Sequence, residues 1–302
     1  MKVYTTTQHA LCAAIRSYLN MGAGAEEAKL SKFSDGEALI QLAAAPAPAE
    51  TTVVIQAVSA PVNDSLVHTA FLLEALRLAC ASSVVLVITY LGYSRQDRPT
   101  RQLSLTAAGV VCKMLSAANV SRAYVVEAHS AAATALLAPP SFDLPITALV
   151  CEHISRRWKL DHVVIVALDQ GGVARASQVA RALGVALVVG VKHRSEDGVA
   201  VEFGDALAVK HKTAVIVDDI VDTGGSAAAA AAALTLKHKA NAVTMCCAHG
   251  VLSAGKLASV QVVCSDSVGG VSGALTLSYL LSRLLKRIAA NRNHGKLLKA
   301  DS

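Results

Sequence analysis

A chain of 302 residues with 53% apolar side chains is long enough for two domains, and with only 4% aromatics their cores are built from Ala, Val and Leu. A net charge of +6 and a pI of 9.0 suit anionic partners, but basic residues gather only in the tail, 283–299, which favours small polyanions and no nucleic acid. Mean hydropathy is high at +0.46, yet no apolar run reaches the roughly 18 residues of a membrane span, so no membrane partner is expected.

The chain opens Met1-Lys2-Val3-Tyr4-Thr5, without the basic-then-apolar order of a secretory leader, and a cytoplasmic protein is expected. Residues 1–30 alternate apolar and polar runs and end helix-like in Glu26-Glu27-Ala28-Lys29-Leu30. Phe33 follows in a polar, glycine-bearing loop with Asp35 and Glu37. It is either tucked under its own loop or exposed to stack on a nucleobase. Residues 43–50, with Pro46 and Pro48, read as a surface turn. Segment 53–58 reads as a strand. Pro61 starts a helix that Asn63 or Asp64 is placed to cap, running to Cys80.

Segment 84–90 is apolar except for Thr89 and suits a central parallel strand. Directly after it come Arg95, Gln96, Asp97, Arg98 and Arg101. Ligands bind at the C-terminal ends of strands in α/β sheets, and arginines there suit phosphate oxygens. A helix over 105–118 and a strand over 123–126 lead to Glu127-Ala128-His129. His129 reads as a metal ligand, a phosphate contact or a hydrogen-bonded structural residue. The turn at Pro139-Pro140 marks the expected boundary between domains 1–141 and 142–302, with the terminal helix packing back on the first.

The second half repeats the pattern. A helix over 153–160 and a strand over 163–167 precede Asp169-Gln170-Gly171-Gly172, an acid-then-glycine corner that forms an anion nest before the helix at 174–183. Strand 185–191 ends at Lys192-His193-Arg194. Strand 214–217 then runs into Asp218-Asp219-Ile220-Val221-Asp222-Thr223-Gly224-Gly225-Ser226, read as a tight turn, and an alanine-rich helix. Gly224 and Gly225 let the backbone approach a ligand, and the amides of 223–226 at a helix N-terminus suit a phosphate. Asp218 and Asp219 would repel phosphate but suit sugar hydroxyls or a metal, so the stretch suggests a sugar phosphate. Strands at 243–247 and 260–264 and an amphipathic helix at 275–290 close the chain. The seven cysteines show no CxxC spacing and are expected to be buried free thiols. Strand–helix alternation in both halves implies α/β domains with parallel sheets, a duplication of one fold.

The run 218–226 resembles the phosphoribosyl-pyrophosphate motif of the phosphoribosyltransferase fold. Taken in order with Phe33 to Glu37, Pro61 to Asp64, Gly92 to Arg98, His129, Asp169 to Val173, Lys192 to Arg194 and Ala248-His249-Gly250, it makes nearly the whole chain resemble the ribose-phosphate pyrophosphokinase family. The resemblance implies two tandem phosphoribosyltransferase-like domains. It implies Mg²⁺-dependent transfer of the pyrophosphoryl group of ATP to the 1-hydroxyl of ribose 5-phosphate, giving 5-phosphoribosyl 1-pyrophosphate and AMP for nucleotide biosynthesis. Phe33, Asp35, Glu37, Arg95, Gln96 and Asp97 then match the ATP site, and His129 and Asp169 the metal positions. Lys192 matches the catalytic lysine and Arg194 its partner. Asp169, Gln170, Gly171 and Gly172 match the pyrophosphate loop. Asp218, Asp219, Asp222, Thr223, Gly224, Gly225 and Ser226, with Arg194, match the ribose 5-phosphate site. The family's Phe33 loop serves a neighbouring subunit, which implies a homo-oligomer built from dimers, up to a hexamer. The alternatives are a non-catalytic regulatory paralogue and a phosphoribosyltransferase that consumes the product.

Overall fold

The computed structural model describes residues 1–21, 28–47, 50–99, 105–117, 120–138, 140–195, 198–204, 206–255, 257, 259–268 and 274–291. Arg101 and the basic tail beyond residue 291 therefore lie outside the described residues, as do the side chains of 194, 195, 198 and 291. The chain divides into two compact units, Met1–Leu144 with Leu277–Ser302, and Pro145–Thr276.

The first unit begins with β1 (Lys2–Tyr4), α1 (His9–Tyr18), β2 (Ala28–Lys32), β3 (Ala38–Leu42) and β4 (Thr52–Ala57). It continues with α2 (Val62–Leu78), β5 (Val84–Tyr90), α3 (Ala107–Ser116), β6 (Val120–Val126), α4 (Ala131–Thr134) and β7 (Ser141–Leu144). A parallel sheet runs in the order β1-β4-β5-β6-β7. Every residue of β4 and β5 is buried, which is why their sequences are mostly apolar rather than alternating, with Thr52, Gln56 and Thr89 as buried polar exceptions. β2 and β3 form a separate antiparallel hairpin, whose Ile40 and Leu42 pack on the core that Leu72, Leu73 and Leu76 of α2 help to build.

The second unit contains α5 (Thr147–Arg157), β8 (Val163–Ala167), α6 (Val173–Leu183), β9 (Ala186–Ser195), β10 (Gly198–Phe203), β11 (Thr213–Val221), α7 (Gly225–Leu236), β12 (Ala242–Gly250) and β13 (Gln261–Ser265). Its sheet order is β10-β9-β8-β11-β12-β13, parallel except for the antiparallel edge strand β10. Helix α6 ends in left-handed Gly184, the usual glycine C-terminal stop. Helix α8 (Ser278–Asn291) belongs with the first unit, where the Tyr279 ring lies 6.1 Å from Tyr18 of α1.

Several expectations change. The helix-like 28–30 is the start of β2, because pairing with β3 outweighs local helix propensity. Asn63 and Asp64 lie inside α2 rather than capping it, and its N-cap position is Pro61. Residues 141–144 form β7, paired with β6 and with Phe142 stacked on Tyr124 at 5.3 Å, so the first unit extends to Leu144. The expected turn at 218–225 is shorter, because β11 pairs with β12 as far as Val221↔Gly250. Lys192 and His193 stand within β9 rather than past its end, held by register with Val201 and Ala200 of β10. Of the cysteines, Cys12, Cys112, Cys246, Cys247 and Cys264 are buried free thiols, while Cys80 is exposed and Cys151 half-buried.

Candidate functional site

Because the main strands of each unit run parallel, the loops that follow them gather at one sheet edge. In the first unit those loops carry most of the residues singled out above. The β2–β3 turn is closed by the Phe33 N–H donating to the Glu37 carbonyl at 2.8 Å and the Gly36 N–H to the Phe33 carbonyl at 3.0 Å. Asp35 accepts from the Glu37 N–H at 3.0 Å. This leaves the Phe33 ring 55% exposed, so it is presented at a hairpin tip rather than tucked beneath it.

After β5 the chain turns at Gly92, where a side chain would collide with the Val58 carbonyl oxygen. Tyr93 adopts a left-handed conformation, and its hydroxyl donates to Asn63 of α2. The Gln96 N–H donates to the Tyr93 carbonyl at 2.9 Å, and the Gln96 carbonyl accepts from Ala108 of α3 at 3.2 Å. This framework holds exposed Arg95 and Gln96 and half-buried Asp97 at the strand end. After β6, Glu127 is buried in a left-handed conformation and the Ala128 N–H donates to Asp143 at 2.7 Å. His129 is exposed beyond them.

In the second unit, Asp169 caps the short turn Gln170–Gly172 by accepting from the Gly171 N–H at 2.9 Å. Lys192 lies two residues beyond Gly190 on β9 and so shares its face. A side chain at Gly190 would come within 2.9 Å of the Leu168 carbonyl, immediately before Asp169. Half-buried Lys192 thus occupies the face of β9 that turns toward the Asp169 corner. His193 occupies the other face, with its Nε2 3.9 Å from Glu202 of β10. The backbone of Arg194 pairs with Val199, and its side chain lies outside the described residues.

Asp218 and Asp219 sit in β11, next to that corner: a side-chain carbon at Gly172 would lie 3.7 Å from an Asp218 carboxylate oxygen. The Asp219 N–H donates to Asp218 at 3.0 Å. The Asp218 carboxyl is pushed up to about 7, first by burial and then by the charge of Asp219, against the pull of the Asp219 N–H and Arg175. Past the strand, Asp222 accepts from the Ser253 hydroxyl at 2.5 Å and the Ser253 N–H at 3.3 Å, which fixes the turn. Gly224 is left-handed and packed against Leu257, a place for glycine alone. Gly225 then opens α7, whose first amides have no carbonyl partner in the helix. With Thr223 exposed and Ser226 half-buried, this corner presents donors to an anion beside a carboxylate pair.

His249 is buried at the end of β12, its Nδ1 2.8 Å from the Ser267 hydroxyl. Arg175, in the first turn of α6, was not singled out from the sequence. Its Nη1 lies 3.6 Å from Asp218 and 3.8 Å from Asp219. The signal that would have found it is its position six residues after Asp169, on the helix that leaves the glycine corner.

Among the described residues no three His, Cys, Asp or Glu side chains cluster as a metal cage. Exposed His129 in the first unit and Asp169 in the second each offer a single donor. A lone donor of this kind suits Mg²⁺, which keeps several waters and takes further oxygens from substrate phosphates. Among the described residues no helix is long and apolar enough to cross a membrane.

A family model for the N-terminal domain of ribose phosphate pyrophosphokinase matches residues 1–118, and a phosphoribosyl transferase domain model matches 134–268. The ribose-phosphate pyrophosphokinase of Rhizobium meliloti is 30% identical over 275 residues, covering 89% of this chain and 87% of that one. That of Thermosipho africanus is 31% identical over 309 residues, covering 96% and 95%. The crystal structure of phosphoribosylpyrophosphate synthetase from Mycobacterium smegmatis shares the fold, with a TM-score of 0.84 at 23% identity over 96% of this chain and 99% of that one. Two tandem phosphoribosyltransferase-type domains and relatives matched along nearly their whole length lead to one conclusion: the chain belongs to the ribose-phosphate pyrophosphokinase family.

Proposed function

We propose that the protein is a cytoplasmic enzyme that transfers the pyrophosphoryl group of ATP to the 1-hydroxyl of ribose 5-phosphate, giving 5-phosphoribosyl 1-pyrophosphate and AMP. The observation that carries this reading is the second unit's strand edge. A carboxylate pair beside Gly172, the unpaired first amides of α7 and a lysine on the strand next to the Asp169 corner supply the groups that a sugar phosphate and a pyrophosphoryl group need. Asp218 and Asp219 accept from the ribose hydroxyls, and the 223–226 amides and hydroxyls hold the 5-phosphate. The Asp169–Gly172 corner receives the pyrophosphoryl group. Lys192, with Arg194, stabilises charge as it builds on the phosphate oxygens. Phe33 stacks on the adenine, while Asp35, Glu37, Arg95, Gln96 and Asp97 bind ATP. Asp169 and His129 are each proposed to ligate Mg²⁺, which when bound neutralises charge on phosphate oxygens.

The test is to incubate the purified protein with Mg²⁺, ATP and ribose 5-phosphate and to follow AMP. AMP formation should require ribose 5-phosphate, stop on chelation with EDTA, and fall on the order of a hundredfold or more in Lys192→Ala. No AMP while both ligands still bind would overturn the reading in favour of a non-catalytic family member. Pyrophosphate release from added phosphoribosyl pyrophosphate and a nucleobase would overturn it in favour of a phosphoribosyltransferase.

A further inference from the structure

Neighbouring residues on a strand point to opposite faces, so two consecutive aspartates do not ordinarily share a partner. Asp218 and Asp219 do. The Arg175 Nη1 stands within 3.8 Å of a carboxylate oxygen of each. All three side chains are largely withdrawn from water, at 17% exposure for Arg175, 24% for Asp218 and 8% for Asp219. Planar guanidinium with several fixed donors suits this bridging role in a way that a point charge does not. Arg175 also sits in the first turn of α6, directly after the Asp169–Gly172 corner. One side chain therefore links the corner proposed for pyrophosphate to the pair proposed for the sugar hydroxyls.

We propose that Arg175 is a positioning residue of the ribose subsite: it gathers Asp218 and Asp219 into one acceptor surface for sugar hydroxyls and draws them toward the ionised form. This rests on the function proposed above. The physical need for it follows from charge. Two buried carboxylates in one place repel, and the less costly outcome without a cation is that one takes up a proton. A protonated Asp218 would present a donor where the sugar needs an acceptor. Among the described residues, the charged or titratable groups that act on Asp218 are Asp219 on its own strand, Arg175 from α6 and the buried Cys247 thiol from β12, its partner in register. Of these Arg175 brings positive charge, and it opposes the upward push of burial and of Asp219.

The experiment compares wild type, Arg175→Met and Arg175→Lys. It reads KM for ribose 5-phosphate and for ATP, the preference for ribose 5-phosphate over its 2-deoxy analogue, the pH profile, and the thermal midpoint as a check on folding. In Arg175→Met, KM for ribose 5-phosphate should rise about ten- to a hundredfold, as on loss of a group that orients a contact residue. KM for ATP should stay within about twofold. The preference over the deoxy analogue should shrink, and the acid limb of kcat/KM should move up by about one pH unit. Arg175→Lys should restore the acid limb and part of the affinity. An unchanged KM, preference and acid limb in Arg175→Met would overturn the proposal. So would an equal loss toward both substrates with a lowered midpoint that lysine does not repair, since that is a folding role. If wild type makes no AMP, the proposed function fails on its own, and calorimetry with ribose 5-phosphate decides Arg175. Weaker binding to Arg175→Met than to wild type upholds its role. Equal binding, or none to either, overturns it.

Discussion

At the residue scale, the acid pair in β11 contains a carboxyl whose charge opposes the stability of the fold. Asp218 ordinarily titrates at 3.8 and here at about 7, raised by burial and by Asp219. A carboxyl with a raised folded-state value contributes stability that is complete below the unfolded value. That contribution is lost as pH rises through the folded one. Between pH 4 and 7 the free protein therefore becomes less stable on account of this group. Asp218→Asn, which cannot ionise, should raise the thermal midpoint relative to wild type at pH 8 and change it little at pH 4, while weakening ribose 5-phosphate binding. Equal shifts at both pH values would show that the carboxyl charge is not the cause.

At the scale of elements, the alanine run of α7 is a spacing device. Ala227 and Ala230 are at most 2% exposed and Ala231 and Leu234 are also buried, facing the sheet core with Val201, Phe203 and Met245. Small side chains let this helix lie close to the strands, which brings its N-terminus to the end of β11. Ala230→Leu should overpack that contact and destabilise the protein by roughly 1–3 kcal/mol, measured by denaturant unfolding. The β9–β10 hairpin works differently. Its period-two alternation puts Lys192 and His193 on opposite faces, so a one-residue slip in register would exchange them. The sequence showed the basic triplet. Its pairing with 199–201 was not legible, because the partner strand carries no strong apolar run and an edge strand is specified mainly by what it pairs with.

At the scale of the whole molecule, each unit carries its loops at the C-terminal edge of its parallel sheet, and the first also leaves apolar side chains exposed. Val67, Phe71 and Leu78 of α2 are 39%, 46% and 67% exposed, at positions that recur along a helix. Contiguous exposed apolar surface of this kind marks association. With Phe33 exposed at a hairpin tip, we propose a homo-oligomer. Sedimentation velocity should find species larger than the monomer, and Phe71→Lys should shift them toward smaller ones without lowering the thermal midpoint of the monomer. A wild-type protein that sediments only as a monomer would refute this assembly.

Local chemistry was written in the chain. Largely apolar runs marked β5 and β8 as buried parallel strands, and acid-then-glycine spacing marked both turns proposed to hold anions, because burial pattern and turn geometry are decided within a few residues. The order of those motifs was enough to indicate the family. What depended on partners distant in sequence was not legible. Residues 28–32 became a strand only through β3, the acid pair joined β11 only through β12, and Arg175 met that pair only when α6 folded onto the sheet. Pairing and packing are set by the free energy of the whole assembly of elements, so the sequence by itself determined which chemistry is present, and the tertiary structure decided which groups act on one another.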